Sequence, residues 1–516
     1  MLRALALAGG GGAVLGALRD SDGLLTINVG KGSLGLTNAE TINATSLTLG
    51  ADSKMVFTAD PTANNGAGAN THLVVSGAVN IASGAQLGLR LTSLLAAPTS
   101  YTVITGGSLT VGTINQDLLG GTPYLYVASS RADTNNVYLD VRRRTAAEIG
   151  MNKAQASAYD ATFAALTKDK GLASTFLGQG GKDGFLGLYD QMMPDTGEGF
   201  FAALQNANQS ISSATGYRPD PGDRYGPDSL WVQEINTLVR RDTADTMGSD
   251  TQAFGFVGGY EAMGDAGGAL GLTLAYVSIE EHDIAAKVGE QTTGNFVQLG
   301  GYWRRSVGGW RMNAGGGGGF GWYDGDRTFS SGDVDGNGVV DVVRHNSAKW
   351  TGYTFNAFAG TAYEAKFGRY YARPEARLDY LFLQEGARRE KGGEDATDSS
   401  QDGFDQNRAK RKSDSLTGDV GVAFGADFGR DMWWRPEVRV GYRQTLAGKI
   451  GDTTVSYASG GNPFTVAAMN EKEGAVTLGF ALRAGTPMSY LALEANAEAA
   501  KKQKRYNLKL TGRAMF

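Results

Sequence analysis

The chain has 516 residues, with no Cys, 3 His and 76 Gly, a Gly share of about 15% that is roughly double ordinary usage. Its 48 Lys and Arg against 53 Asp and Glu leave a net charge of −5, which argues against a nucleic-acid-binding surface. The absence of Cys excludes disulfides, thiolate zinc sites, iron–sulfur clusters and a Cys nucleophile, and His72, His282 and His345 are too few and too scattered to suggest a multi-His metal centre. No run of 18 apolar residues predicts a transmembrane helix. A transmembrane barrel stays open, because its alternating segments of about ten residues average out in hydropathy.

Residues 1–18 pair an early Arg with an uncharged stretch, as a signal peptide does, but Gly9 to Gly12 break the apolar run. The segment reads instead as part of the repeat-like region after it, with the chain as the tail of a longer precursor or with a miscalled start. From 20 to 145 the chain is rich in Gly, Asn, Thr and Ser. Short apolar segments such as LLTINVG, HLVVSGAVNI and NVYLDV are separated by turn residues. This pattern predicts a stacked β structure, a β-helix or the end of a β-sandwich, with YTVITGGSLTVG and PYLYVA as its cap.

Residues 146–216 turn helical. Ala154, Ala158, Phe163 and Leu166 mark one apolar face, FLGLYDQMM is a second candidate helix, and EGFFAALQNANQSISSATG is a third. In that third helix Phe201, Leu204 and Ile211 mix with Asn206, Asn208 and other small or amide residues, a composition suited to a narrow wet channel. YRPDPGD at 217–223 is a turn-rich linker.

Twelve long strands are predicted beyond it, near 229–241, 252–263, 268–279, 293–305, 310–324, 350–366, 370–385, 414–428, 432–446, 474–485, 489–499 and 504–516. In the last, Tyr506, Leu508, Leu510, Ala514 and Phe516 oppose Arg505, Asn507, Lys509, Thr511 and Arg513. Long strands in even number, with connections alternately short and long, are the outer-membrane pattern rather than that of a soluble sheet. The charged faces then line the lumen: Arg373, Glu375, Arg377, Asp379, Arg435, Glu437, Arg439, Arg443, Glu494 and Glu498. Aromatics at strand ends (Trp231, Trp303, Trp310, Trp322, Tyr323, Trp350, Tyr370, Tyr371, Trp433, Trp434) are expected to form the interfacial girdles. A twelve-stranded lumen has room for about one helix.

With these motifs in their order, the chain resembles the C-terminal portion of a type Va autotransporter of the pertactin-like group. NKAQASAYDATFAAL followed by LYDQMMPDTGEGFFAAL resembles the family's helical junction, where a Gly-Glu step precedes the pore helix. LWVQEIN resembles the first barrel strand, YNLKLTGRAMF the C-terminal assembly signal, and residues 71–143 the passenger's folding-promoting stem.

The expected fold is all-β: a C-terminal 12-stranded antiparallel transmembrane barrel with a pore-threading helix, preceded by a short β-helix-like passenger stem. Expected domains are a passenger remnant at 1–145, a helical junction at 146–223 with the pore helix near 195–215, and the barrel at 224–516. The resemblance implies a Gram-negative outer-membrane translocator that exports and displays its own passenger at the cell surface. It implies contacts with outer-membrane lipid, lipopolysaccharide, the assembly machinery and periplasmic chaperones, no cofactor, no nucleic acid and a monomeric barrel. The pore-helix residues are then Glu198, Phe201, Leu204, Asn206, Asn208 and Ile211. The C-terminal signal comprises Tyr506, Leu508, Leu510 and Phe516. The alternatives are a surface adhesin anchored by the barrel and a plain diffusion pore.

Other motifs carry less. Asp333, Asp335, Asn337 and Asp341 follow a calcium-loop spacing, but Arg344 stands where the bidentate Glu belongs. The G-x-G-x-x-G match within 315–321 falls inside a strand, where glycines let the backbone bend or approach the pore helix. No G-x-S-x-G elbow is present and Asn206-Ala207-Asn208 lacks the Asn-Asn step of the self-cleaving barrels, so no enzyme is expected. The charged 386–413 loop reads as solvated.

Overall fold

A computed structural model describes residues 4–14, 18, 24–114, 122–216, 228–263, 268–284, 289–333, 341–469, 472 and 474–516. They form two compact units, one of residues 1–192 with 330–343 and 395–403, the other of 193–329, 344–394 and 404–516. The 217–223 linker lies outside the described residues.

The first unit holds β1 (Ala4–Leu7), β2 (Gly11–Val14), β3 (Thr26–Leu36), β4 (Thr41–Ala44), β5 (Ser46–Asp60), α1 (Ala63–Gly66), β6 (Ala69–Asn70), β7 (His72–Ile81), β8 (Gln86–Leu91), β9 (Thr99–Val111), β10 (Tyr126–Ala132) and β11 (Asn136–Arg143). The order β1-β3-β5-β7-β9 is parallel, which distinguishes a stacked solenoid from an antiparallel sandwich. Ile27, Leu47, Val79 and Leu109 stand in register, as do Val29, Leu49, Ile81 and Val111, so each rung adds an apolar residue to a column. The outward positions between them, Asn28, Thr48, Asn80 and Thr110, are polar and exposed. The expected cap is split: YTVITGGSLTVG is itself a parallel rung, and β11 and β10 turn antiparallel to cover it.

The helices after the stem are α2 (Ala146–Ile149), α3 (Lys153–Leu166), α4 (Lys170–Leu177) and α5 (Lys182–Met192). The segment AAEIGMNKAQASAYDATFAALTKDK, helical in spacing over 146–170, is divided between α2, α3 and the start of α4. Gly150 adopts φ 74° as a left-handed C-cap, and Asn152 then opens α3 with a reciprocal Asn152–Gln155 capping box.

The second unit begins with α6 (Glu198–Gly216), followed by β12 (Ser229–Arg241), β13 (Ser249–Met263), β14 (Gly268–Asp283), β15 (Gln291–Val307), β16 (Trp310–Ser330) and β17 (Val343–Tyr363). Next come β18 (Ala365–Phe367), β19 (Tyr370–Glu385), β20 (Arg388–Arg389), β21 (Gln406–Arg408), β22 (Arg411–Ala426), β23 (Phe428–Gly429) and β24 (Trp433–Lys449). The chain ends with β25 (Thr453–Tyr457), β26 (Phe464–Val466), β27 (Gly474–Gly485), β28 (Ser489–Ala499) and β29 (Gln503–Met515). Twelve of these (β12–β17, β19, β22, β24, β27–β29) pair antiparallel with their neighbours, and the β12–β29 and β17–β19 pairings close the sheet into a barrel. Closure leaves no free edge, which a strand in lipid requires.

One end of the barrel carries the connections 308–309, 364–369, 427–432 and 486–488, and the end of β13 and the start of β14 lie there too. The other carries 242–248, 284–290, 331–342, 386–410, 450–473 and 500–502. The charged 386–410 connection is more ordered than a solvated loop. It contributes β20 and β21 to a four-stranded sheet with β25 and β26, and it buries Phe404, Asp405 and Glu390. Ion pairs from Glu390 to Arg327 (2.5 Å) and Arg408 (2.9 Å) hold its base. Along the spanning strands every second side chain faces outward. Leu270, Leu272, Leu274, Leu299, Phe320, Val420, Phe424 and Leu508 are all exposed, and they form an apolar belt that a bilayer covers.

Candidate functional site

The barrel's lumen is filled by α6. Almost all of the helix is buried, including Glu198 (1% exposed), Leu204 (0%) and Ala207 (0%). Its N-terminus lies at the long-loop end, where Glu198 binds Arg241 of β12 and accepts hydrogen bonds from Thr246 Oγ1 (3.2 Å) and Met469 N (2.8 Å). Its last turn lies at the short-turn end, where Asn313 Nδ2 donates to Thr215 Oγ1 at 3.3 Å. The chain ahead of α6 therefore leaves the lumen on the long-loop side.

The helix is seated asymmetrically. Phe200, Phe201, Leu204 and Ala207 pack against Val239, Val277, Ile279, Phe296, Tyr323 and Trp350, and nearer the short-turn end Ile211 meets Trp231, Ile235, Val257 and Tyr302. That face is dry, unlike the wet channel its composition suggests. Gly294 makes room for it: a Cβ there would stand 2.2 Å from Phe200 Cζ. Glycines 315–319 serve a different purpose, since a Cβ on Gly315, Gly316 or Gly317 would strike carbonyl oxygens of adjacent strands at 2.5–2.7 Å.

The other face is polar, and its amides are used. Asn507 Nδ2 donates to Asn206 Oδ1 (3.1 Å) and Ser210 Oγ (2.7 Å), and Asn356 Nδ2 donates to Asn208 Oδ1 (2.5 Å). Gln205 and Gln209 reach Ser415 and Thr417 of β22 (3.0 and 3.4 Å), and Ser212 reaches Asp379 (3.0 Å). Beyond these contacts the lumen wall is a mesh of ion pairs. Arg373 binds Glu437 (2.8 Å), Arg377 binds Asp379 (2.9 Å), and Arg435 binds Glu364 (2.5 Å). Glu494 takes Arg483 (2.5 Å) and Lys509 (2.7 Å), Arg439 bridges Glu375 and Asp419, and Arg443 meets Glu498. All ten charged residues assigned to the lumen by alternation thus line it in compensated pairs. A polar cavity of about 240 Å³ remains between this wall and the helix.

The aromatic girdle needs correction. Trp303, Trp310, Trp322, Tyr370 and Trp434 face outward, with exposures of 38–59%, whereas Trp231, Tyr323, Trp350 and Tyr371 are at most 6% exposed and point into the lumen. Trp433 packs inward on Tyr490 and Met515. Adjacent aromatics on a strand must take opposite faces, so each of the pairs 322–323, 370–371 and 433–434 divides between lipid and lumen. Tyr506, Leu508, Leu510 and Phe516 are outward, at 44–60% exposed. Asp333 lies at the edge of its loop, and Asp335 and Asn337 lie outside the described residues.

The family profile of the autotransporter beta-domain matches residues 230–498. The chain belongs to the autotransporter family. It is an outer-membrane translocator that exports its own passenger in a Gram-negative bacterium. Among solved structures, the translocator domain of the autotransporter NalP from Neisseria meningitidis is similar at 12% identity and TM-score 0.45, over 61% of this chain and 98% of that one. The transport unit of the autotransporter AIDA-I from Escherichia coli is similar at 9% identity and TM-score 0.38, over 61% and 98%. The beta domain of the Bordetella autotransporter BrkA is similar at 15% identity and TM-score 0.37, over 56% and 100%. Among curated proteins no relative matches the chain.

Sequence reasoning missed the dry half of the lumen. Val239, Ile279 and Phe296 are apolar on the lumen face while their outward neighbours Arg240, Ser278, Glu280 and Asn295 are polar, so near the strand ends the alternation carries no signal for which face is the lumen. It also missed the carboxylates Asp195, Glu281 and Asp283, which the fold brings together from distant segments.

Proposed function

We propose that α6 is the last segment of the exported strand, retained in the lumen when passage ends and converted there into a plug. The observation that carries this is the direction of the helix: Glu198 sits at the long-loop mouth and Thr215 at the short-turn end. Residues 1–192 then belong outside the cell, with the stem as the passenger remnant and the barrel as its anchor. The outward Tyr506, Leu508, Leu510 and Phe516 offer an apolar strand face to the outer-membrane assembly machinery, while periplasmic chaperones keep the chain unfolded beforehand. Lipopolysaccharide covers the upper belt, and one barrel works alone.

This reading assigns no catalytic residue. The amides of Asn206 and Asn208 are engaged by Asn507 and Asn356. His282 and His345 bond to Glu280 and Thr328 beside the long loops. The adhesin alternative shares the anchor and adds ligand binding by the stem. Because the chain has no Cys, a paired Gln209→Cys and Thr417→Cys variant tests the plug directly. Oxidation of outer membranes is expected to join helix to wall within one chain. Failure to join them in heat-modifiable barrels overturns the reading.

A further inference from the structure

At the long-loop mouth, Asp195 just ahead of α6 meets Glu281 and Asp283 at the end of β14. One carboxylate oxygen from each lies within 4.8 Å of the other two. Asp195 and Glu281 are buried and Asp283 is half-buried, so the cluster opens to solvent on one side only. Glu281 is 3% exposed and accepts a hydrogen bond from Phe200 N at 3.1 Å. Among the described residues no Lys or Arg comes within 4.0 Å of its carboxylate. A buried carboxylate beside two others calls for a positive partner.

A second observation points the same way. The Thr251 hydroxyl, on a residue 0% exposed, has no hydrogen-bond partner among the described residues. It converges with Glu281 Oε1 and Ser249 Oγ on the open face of Gly199, where a Cβ would come within 2.5, 2.4 and 2.3 Å of the three oxygens. Any residue but Gly would fill this nook. Arg388 and Arg408 stand 3.7 and 4.0 Å from the Asp195 carboxylate, while Arg408 Nη1 donates to the Asp195 carbonyl and Arg408 also pairs with Glu390, each at 2.9 Å.

We propose that Asp195, Glu281 and Asp283, with the Thr251 hydroxyl beside Glu281, bind a hard divalent cation, calcium, at the outer mouth of the barrel. An all-oxygen donor set rich in carboxylates selects calcium or magnesium over softer metals, and calcium accepts irregular protein cages more readily than magnesium, which keeps its waters. Because Asp195 precedes the helix and Glu281 holds the Phe200 amide, the ion ties the emerging chain to β14. The site is complete only when residues 195–200 have arrived. This latch role rests on the reading of α6 as the exported strand's end, whereas the binding itself does not.

The test uses the full chain refolded in detergent, stripped with EDTA and titrated with CaCl2, then MgCl2, by calorimetry. One calcium per chain is expected. Glu281→Gln and Asp283→Asn are each expected to weaken it about tenfold or more, and the Asp333→Asn, Asp341→Asn double variant is expected to leave it unchanged. Heat-modifiable migration on gels shows which variants fold, and Asp283→Asn at the rim decides if Glu281→Gln does not. No heat with millimolar calcium overturns the proposal, as does binding indifferent to both carboxylate variants. Either result leaves the Gln209–Thr417 cross-link, and with it the plug, untouched.

Discussion

Replacing Arg241 by Ala isolates what anchors the plug at its outer end. Glu198 is fully buried at its side chain (0% exposed), and Arg241, itself 9% exposed, is its ion-pair partner. After the substitution, Thr246 Oγ1 and Met469 N still donate to the carboxylate, but neither carries charge. Removing one partner of a buried pair costs about 3–5 kcal/mol, because the other charge is left uncompensated. That is roughly a hundred- to several-thousand-fold in the folding equilibrium. Denaturant unfolding of the vesicle-inserted protein, followed by Trp fluorescence, reads the loss as a lower midpoint. The Glu198→Gln, Arg241→Ala double variant removes both charges and is expected to recover most of the deficit. An unchanged midpoint for Arg241→Ala refutes the reasoning, and so does a double variant less stable than the single.

Deleting residues 198–216 opens the lumen, so planar-bilayer conductance is expected to rise from a small residual value to that of an open pore. An unchanged conductance contradicts a plugged barrel. The residual current is expected to favour anions, because eight Lys and Arg against six Asp and Glu line the cavity beside the helix. A reversal potential of cation sign in a KCl gradient contradicts this. Gly294→Val forces Phe200 out of its seat at an overpacking cost of about 1–3 kcal/mol, and a lower unfolding midpoint with larger residual current checks it. In the stem unit, Glu148 is held down to about 2, first by the Arg142 guanidinium and then by the Thr145 amide. A carboxylate depressed on folding stabilises fully above its ordinary value near pH 4 and loses that contribution as pH falls toward 2. Amide protection in α2 is therefore expected to fade across that window, and Glu148→Gln to remove the pH dependence.

The barrel was legible because lipid and lumen impose opposite demands on alternate residues. In β29 that contrast runs unbroken from Tyr506 against Arg505 to Ala514 against Arg513. It fades where strands leave the bilayer. The alternation suggests an end near 324 and a restart near 350, yet β16 continues to Ser330 and β17 starts at Val343. Outside lipid, Asp326, Arg327 and His345 meet no apolar requirement. The direction of α6 was not legible, since an amide-rich helix reads alike both ways. Buried partners in distant segments, such as Glu198 with Arg241 and Met469, fixed it. The Trp and Tyr doublets were ambiguous because an aromatic suits either face, and only the register decides between Trp322 outward and Tyr323 inward.

Shaving of intact cells tests the central claim most directly. The chain is expressed behind a secretion signal in a Gram-negative host with an epitope inserted at the exposed Asn64 of the stem. Added protease is expected to remove the epitope from intact cells while a heat-modifiable barrel ending at Phe516 stays in the outer-membrane fraction. An epitope that survives on intact cells and is lost only after the outer membrane is opened contradicts export through this barrel.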